Sequence, residues 1–429
     1  MGKAPIINPF QKESGYRPKK VRKTNDSSKK SEYHYPKFCE AMRLIAKTLQ
    51  GLEEVLAEEL EGIGAGNIQI QSRSCSFEGD KRVLYRANLE LRTALRILVP
   101  IWSSEVHLEK HIYEDVQKID WSKYLDIDGT FAVDATVHSD RFSHSHYIAL
   151  LTKDAIVDQF RERYNTRPDI DTAQPDLRIH VYISNDIFEL SLDSSGESLH
   201  KRGYSKGILV APINDVLAAG LIKLSGWKMD CDFMDPMCGS GTILIEAAMM
   251  AYNIPSLWNR TYFGFLRWKN FDENLWTEIR EEAYRKMKTS FAFSIRGYDI
   301  AYEAVHTAET NCKLAGLKGY VKIERCALER QAELTQKTLI ITNPPYDERI
   351  GIEDTDRFYA LLGDTMKKKF KGVEAWIITA NMAAAKHIGL RTSKKLNLNN
   401  GGLECKFLKF ELYEGSRKTK STDSYNKDS

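Results

Sequence analysis

Between Cys231 and Met250 the chain reads as strand, glycine turn and helix, a succession that few folds accommodate. Cys231-Asp-Phe-Met-Asp235 is a short apolar strand with an acidic end, Pro236-Met-Cys-Gly-Ser-Gly-Thr242 is a turn with two glycines, and Ile243-Leu-Ile-Glu-Ala-Ala-Met-Met250 is helical. Such a unit opens a nucleotide-binding α/β domain, in which ligands sit beyond the carboxyl ends of parallel strands. The following segments keep alternating. Ser294–Asp299 and Gly319–Glu324 are strands, Ala301–Leu314 is a helix, and Thr338-Leu-Ile-Ile-Thr342 is a β-branched strand. This predicts a mostly parallel sheet covered by helices, closed by a hairpin at Asn400–Phe407.

The turn lacks both Gly-x-x-x-x-Gly-Lys and a complete Gly-x-Gly-x-x-Gly, because only Gly239 and Gly241 are present. Triphosphates and dinucleotides are therefore poor candidates. An acidic strand end before a glycine turn suits a cofactor with a cation and no phosphates, such as S-adenosylmethionine. Asp235 is placed to reach its ammonium, Gly239–Gly241 its methionine moiety, and Asp299, ending the second strand, its ribose hydroxyls. The fourth strand runs into Asn343-Pro-Pro-Tyr346. Proline fixes φ, removes a donor and keeps its predecessor extended. The Asn343 amide and the Pro344 carbonyl thus form two stiffly held acceptors, suited to the two hydrogens of an exocyclic amine, with Tyr346 stacked on the attached ring. The plain alternative is a strand followed by a proline turn. Convergence of Asp235, Asp299 and Asn343 on one crevice favours the amine clamp.

The first half has a different rhythm. Leu52, Val55, Leu56 and Leu60 mark a helix ended by Gly62 and Gly64, and Ile68–Ile70 and Ser74–Phe77 are short strands. Asp80–Leu98 reads as a second helix, with Val83, Leu84, Ala87, Leu91, Leu95 and Leu98 on one face. Then come a strand at Thr130–Val137, a helix near Lys153–Tyr164, and strands at Leu177–Ile183 and Ile187–Leu192. Ser139-Asp-Arg-Phe-Ser-His-Ser-His146 between them reads as a surface loop, its two histidines lacking a nearby third metal ligand. Ser198-Leu-His-Lys-Arg-Gly-Tyr-Ser-Lys206 is a linker whose cations and aromatic suit a nucleic-acid backbone. Trp258–Trp276 is an aromatic-rich insertion that could cover the cofactor, clamp RNA or form a local core.

Charge is unevenly spread. Residues 1–38 hold ten Lys/Arg against three Asp/Glu, whereas the remainder holds 52 against 56. A basic, apolar-poor tail on a near-neutral body predicts a disordered segment attracted to polyanions. The seven cysteines form no Cys-x-x-Cys, which argues for reduced thiols in a cytoplasm and against structural zinc. No apolar run reaches the ~20 residues of a membrane helix.

Asp235-Pro-Met-Cys-Gly-Ser-Gly-Thr-Ile-Leu-Ile-Glu246 with Asn343-Pro-Pro-Tyr346 resembles class I S-adenosylmethionine-dependent methyltransferases that act on amino groups. His200-Lys-Arg-Gly-Tyr204, Ala211-Pro-Ile-Asn-Asp-Val-Leu-Ala-Ala219 and Asn343-Pro-Pro-Tyr-Asp-Glu-Arg349 narrow the resemblance to bacterial THUMP-domain RNA methyltransferases of the RlmL type. It covers roughly residues 40–413. The implied α/β fold is a Rossmann-like methyltransferase domain with a mostly parallel sheet, preceded by α+β ferredoxin-like and THUMP domains. The expected division is a disordered tail at 1–38, a ferredoxin-like domain at 39–100, a THUMP domain at 101–195, the methyltransferase domain at 196–414 and a flexible tail at 415–429.

The implied activity is methylation of the N2 amine of a guanosine, in 23S ribosomal RNA above all, by a cytoplasmic enzyme. The resemblance implies Asn343, Pro344, Pro345 and Tyr346 as the catalytic set. It places Asp235, Pro236, Cys238, Gly239, Ser240, Gly241, Thr242, Asp299, Ile300 and Ala327 around S-adenosylmethionine. Arg141, His144, His146, Lys153, Lys201, Arg202, Tyr204 and Arg349 are the expected RNA contacts, and no metal is expected. Asp347 stands where the family has Gly, and Cys326-Ala327 where its third strand ends in Asp. The second catalytic module of longer members is absent from this sequence, so only guanine-amine chemistry carries over. Competing readings are a transfer-RNA guanine-N2 methyltransferase, an N6-adenine methyltransferase, a glutamine methyltransferase, and an RNA-binding protein with an inactive catalytic domain.

Overall fold

A computed structural model describes residues 41–205, 213–345 and 352–413. The tails expected at 1–38 and 415–429 lie outside the described residues, as do Tyr346, Asp347 and Arg349.

The first half forms one eight-stranded sheet. Its elements are β1 (Met42–Lys47), α1 (Glu53–Gly62), β2 (Gly66–Gln71), β3 (Ser74–Gly79), α2 (Lys81–Glu90), β4 (Arg96–Glu105), α3 (Glu109–Lys118), β5 (Thr130–His138), α4 (Ser145–Tyr164), β6 (Asp169–Ile170), β7 (Leu177–Ser184) and β8 (Ile187–Asp193). The strand order is β2-β3-β1-β4-β8-β7-β5-β6. β4 runs across residue 100 and pairs with β1 on one side and β8 on the other, so the sheet is continuous where a domain boundary was expected. Alternation sends Leu44, Ala46, Phe77, Ile97, Ile179, Val181 and Ile183 into a single core.

The helix expected over Asp80–Leu98 is shorter. Asp80 caps α2 by accepting from Val83 N at 2.9 Å, but Leu91 turns to extended geometry. Beyond it, Leu95 N bonds Lys47 O at 2.7 Å, and Ile97 and Leu98 pair with Ala46 and Ile45. Pairing with β1 thus claims residues whose spacing alone suits a helix. α3, not expected from the sequence, is carried by Ile112 and Val116, an i,i+4 pair buried in the core. α4 begins at Ser145, so His144 precedes the helix and His146 lies within its first turn.

The second half is doubly wound. It comprises α5 (Asp215–Leu224), β9 (Asp232–Asp235), α6 (Thr242–Ala251), α7 (Glu273–Arg285), β10 (Ile295–Asp299), α8 (Tyr302–Leu314), β11 (Lys322–Arg325), β12 (Thr338–Thr342), α9 (Ile352–Lys369), β13 (Glu374–Thr379), α10 (Met382–Ala385), β14 (Thr392–Asn400) and β15 (Leu403–Glu411). The order is β11-β10-β9-β12-β13-β15-β14. The strands from β11 to β13 are parallel, and β15 runs antiparallel to both its neighbours. β14 and β15 are the expected closing hairpin. β9 and β12 are adjacent, with Met234 opposite Ile340, which brings the ends of the first and fourth strands side by side.

The aromatic insertion is a core. Phe265 stacks on Tyr85 of α2 with ring centroids 4.4 Å apart, and Trp276 of α7 meets both rings edge-on. Tyr85 Oη accepts from Asp272 N at 3.0 Å. It therefore joins the two halves rather than standing over the cofactor site.

Glycine matters where α9 meets the turn after α10. A Cβ on Gly363 would lie 1.9 Å from the Ile388 carbonyl oxygen, and backbone cannot step aside as a side chain can. Gly363→Ala is expected to cost about 1–3 kcal/mol, read as a lower denaturation midpoint; an unchanged midpoint would contradict this packing.

Candidate active site

The crevice beyond the carboxyl ends of β9, β10 and β12 gathers Asp235, Asp299 and Asn343, as strand order demands. The turn from Pro236 to Thr242 is shaped by backbone bonds. Cys238 N bonds Tyr298 O at 2.8 Å, Gly241 N bonds Cys238 O at 2.8 Å, and Ser240 O accepts from Asn311 Nδ2 at 3.1 Å. Gly239 and Gly241 adopt φ of +52° and +79°, a region costly to residues with a Cβ. A Cβ at Gly241 would stand 3.0 Å from that of Ala308, whereas one at Gly239 would meet nothing within 4 Å. Gly241 therefore seats α6 against α8, and Gly239 leaves room above the turn. Thr242 begins α6, its hydroxyl 3.2 Å from that of Ser240.

Asp299 closes the turn from the neighbouring strand. Its Oδ2 accepts from Gly239 N and its Oδ1 from Ala301 N, each at 3.0 Å. A carboxylate has about four acceptor sites, so it retains capacity for hydroxyl donors. Ile300 beside it is 65% exposed. Cys326 N bonds Asp299 O at 2.9 Å, which places Ala327 next to this strand end. Gln331, not singled out in the sequence, is buried and donates to Pro236 O at 2.9 Å.

Asp235 is 1% exposed. Its Oδ1 accepts from Thr342 Oγ1 at 2.7 Å and Met237 N at 3.1 Å. Burial pushes its carboxyl up to about 7; these two bonds oppose the shift and the charge of Asp299 adds to it. A buried acid facing another acid, without a basic partner among the described residues, is an environment waiting for a cation. Asn343 follows Thr342. Among the described residues its buried Oδ1 has no hydrogen-bond partner, a costly state unless a donor arrives. Pro344 is buried and Pro345 half-buried beside it.

The expected RNA contacts divide into two groups. Arg141, His144 and His146 are exposed together before and within the first turn of α4. Arg141 pairs with Asp186 at 2.9 Å and Lys153 with Asp154 at 2.9 Å, while exposed Lys201 lies 3.3 Å from Glu197. Arg202 and Tyr204, in contrast, are 2% and 1% exposed, which removes them from any RNA surface. Arg202 Nε bonds Glu246 of α6 at 3.1 Å, and its other nitrogens donate to Leu199 O and Arg92 O. Tyr204 Oη donates to Asp215 at 2.6 Å. Arg92, from the first half, stands 3.8 Å from Glu246. Burial alone would lower the Arg202 pKa, but Glu246 and Asp215 more than offset it. The charge of Arg202 is thus neutralised inside, on the helix that follows the glycine turn, while Lys201 stays exposed.

A parallel sheet with a reversed final hairpin, a glycine turn at the first strand end and an acid at the second define a class I S-adenosylmethionine-dependent methyltransferase. The family model described as the RMKL-like methyltransferase domain matches residues 202–409, the THUMP domain model 107–193 and the RlmL ferredoxin-like domain model 43–98. A "Putative RNA methyltransferase" of Synechocystis sp. is 37% identical over 86% of this chain and 96% of its own length. A "Ribosomal RNA large subunit methyltransferase K/L" of Syntrophotalea carbinolica is also 37% identical, over 87% of this chain, which spans 54% of that longer protein. The SAH-bound crystal structure of SMU.472, a "putative methyltransferase", superposes with a TM-score of 0.79 at 29% identity, covering 88% of this chain and 99% of that one. The chain belongs to the RMKL-like methyltransferase family, with THUMP and RlmL-type ferredoxin-like domains preceding the catalytic one, and S-adenosylmethionine is its cofactor. Among the described residues, no helix is long and apolar enough to cross a membrane.

Two outcomes follow from these burials. Arg202→Ala strands Glu246 in the interior and is expected to destabilise the fold by about 3–5 kcal/mol, whereas Lys201→Ala stays within about 0.5 kcal/mol, both read by denaturation. Because the Asp235 pKa is raised, its stabilising contribution is full below the usual carboxylate range and lost as pH rises through about 7. Asp235→Asn should flatten that part of the melting temperature–pH curve; an unaltered slope would contradict the burial argument.

Proposed function

We propose that this chain, an S-adenosylmethionine-dependent RNA methyltransferase, transfers the methyl group to the exocyclic N2 amine of a guanosine, with large-subunit ribosomal RNA as its substrate class. The observation that carries the reading is the Oδ1 of Asn343 beside Pro344, buried and without a hydrogen-bond partner among the described residues, at the end of the strand next to the one that leads into the glycine turn. The matches to THUMP and RlmL-type ferredoxin-like domains support RNA as substrate, and the names of the K/L relatives support its ribosomal origin.

An amine conjugated to a ring is a poor nucleophile because its lone pair lies in the π-system. Asn343 Oδ1 and the Pro344 carbonyl accept its two N–H bonds, turn the lone pair out of that system and stabilise the positive charge that develops on nitrogen. This is positioning and preorganised electrostatics, and it needs no strong base. Tyr346, outside the described residues, is the residue for stacking on a base drawn out of the RNA helix. When bound, S-adenosylmethionine supplies an electrophilic methyl group on a sulfonium. Asp235 would hold its ammonium, Asp299 would accept from the ribose hydroxyls with its remaining acceptor sites, Gly239 would leave space for the methionine moiety, and Ile300 and Ala327 would stand nearest the adenine. Arg141, His144, His146 and Lys201 are the exposed groups that meet phosphates, Arg141 at little cost because a surface pair such as that with Asp186 is weak.

Asn343→Ala should lower transfer by about 100-fold or more while cofactor binding stays nearly unchanged. Tritiated methyl transfer to purified ribosomal and transfer RNA, followed by nucleoside analysis, should give N2-methylguanosine in the large subunit. N6-methyladenosine, or label only in protein, would overturn the assignment, and label confined to transfer RNA would move the substrate there.

A further inference from the structure

β12 is buried along its whole length, with Leu339, Ile340 and Ile341 at 5%, 1% and 0% exposure and Thr342 at 1%. Valine or isoleucine would pack as well at its last position and suit a strand as well. A hydroxyl there must find a partner or cost free energy. Its partner is the Asp235 carboxyl, 2.7 Å away and 107 residues distant in sequence. The bond lies beyond the last paired residues of the two strands, Met234 and Ile340, so the sheet ladder does not supply this tie. Among the described residues both bonds to Asp235 fall on Oδ1, so Oδ2 keeps its acceptor capacity for a ligand. Thr342 therefore sits in a continuous line from the acid on the cofactor side, through a hydroxyl, to the peptide that carries Asn343.

We propose that Thr342 is a positioning residue: its hydroxyl holds the Asp235 carboxyl and so fixes the angle at which Asn343 presents its amide oxygen to the substrate amine. The inference rests on the amine-clamp reading of Asn343 and adds how the clamp is aligned. Cofactor bound against Asp235 stiffens that alignment, so both reactants are registered against one hydrogen bond. The hydroxyl also supports the ionised form of Asp235, which links it to the pH dependence of cofactor binding.

The test compares Thr342→Val, which keeps shape and loses the hydroxyl, with Thr342→Ser, which keeps the hydroxyl. At saturating cofactor and RNA, Thr342→Val should lower kcat by about 10- to 100-fold, with a wild-type melting temperature and, at alkaline pH, wild-type cofactor affinity. Thr342→Ser should restore kcat. In Thr342→Val the pH midpoint for cofactor binding should move upward, a shift that a packing role would not produce. Thr342→Ala, without the hydroxyl and without the extra methyl, should show the same loss of kcat and the same upward pH shift, with a lower melting temperature from the cavity it leaves. Wild-type kcat in both hydroxyl-free variants would overturn the proposal. So would a parallel loss of kcat, affinity and melting temperature that serine does not rescue. Failure of the clamp itself is read separately, as an active Asn343→Ala.

Discussion

The buried carboxylate of Glu246 is the point on which the arrangement of this molecule depends. It lies one turn along the helix that follows the glycine turn, fully enclosed, and is met by Arg202 from the linker and Arg92 from the first half. An enclosed charge is tolerable only while its partners stay in place. The linker, the eight-stranded sheet and the cofactor helix therefore have to come together in one way. Arg260 reinforces this by donating to the carbonyls of Ser195, Glu197 and Ser198, which leaves the segment between the two sheets little freedom.

With that frame set, the crevice is an electrostatic device with few parts. Two acids stand at adjacent strand ends, and at the next strand end lies a buried amide oxygen without a hydrogen-bond partner among the described residues. The acids suit a cationic cofactor, and the amide suits an amine donor. The Thr342–Asp235 bond is a direct side-chain tie between the two sides. The crevice holds these groups because β9 and β12 are neighbours, although Asp235 and Asn343 are separated by more than 100 residues.

Much of this was legible in the chain. Asp235, the two glycines, Asp299 and Asn343 stand at the ends of short buried strands, and strand ends in a parallel sheet share one edge. A glycine turn keeps its meaning wherever it is read, because positive φ is a local property. The linker is the opposite case. Arg202 and Tyr204 look like surface groups among other cations, and only the position of Glu246 and Asp215 in the folded chain turns them inward. Leu95 and Leu98 follow the same rule: their apolar spacing suits a helix, but spacing says nothing about which strand claims the backbone.

The sequence by itself determined the alternation of elements, the class of cofactor and the identity of the groups at the crevice, because these follow from periodicity, local backbone geometry and side-chain chemistry. The tertiary structure decided which charges face solvent and which are neutralised inside. It also decided that the N-terminal strands form one sheet, and that Thr342 reaches Asp235. Those outcomes depend on contacts between residues far apart in the chain, where burial and pairing outweigh local preference.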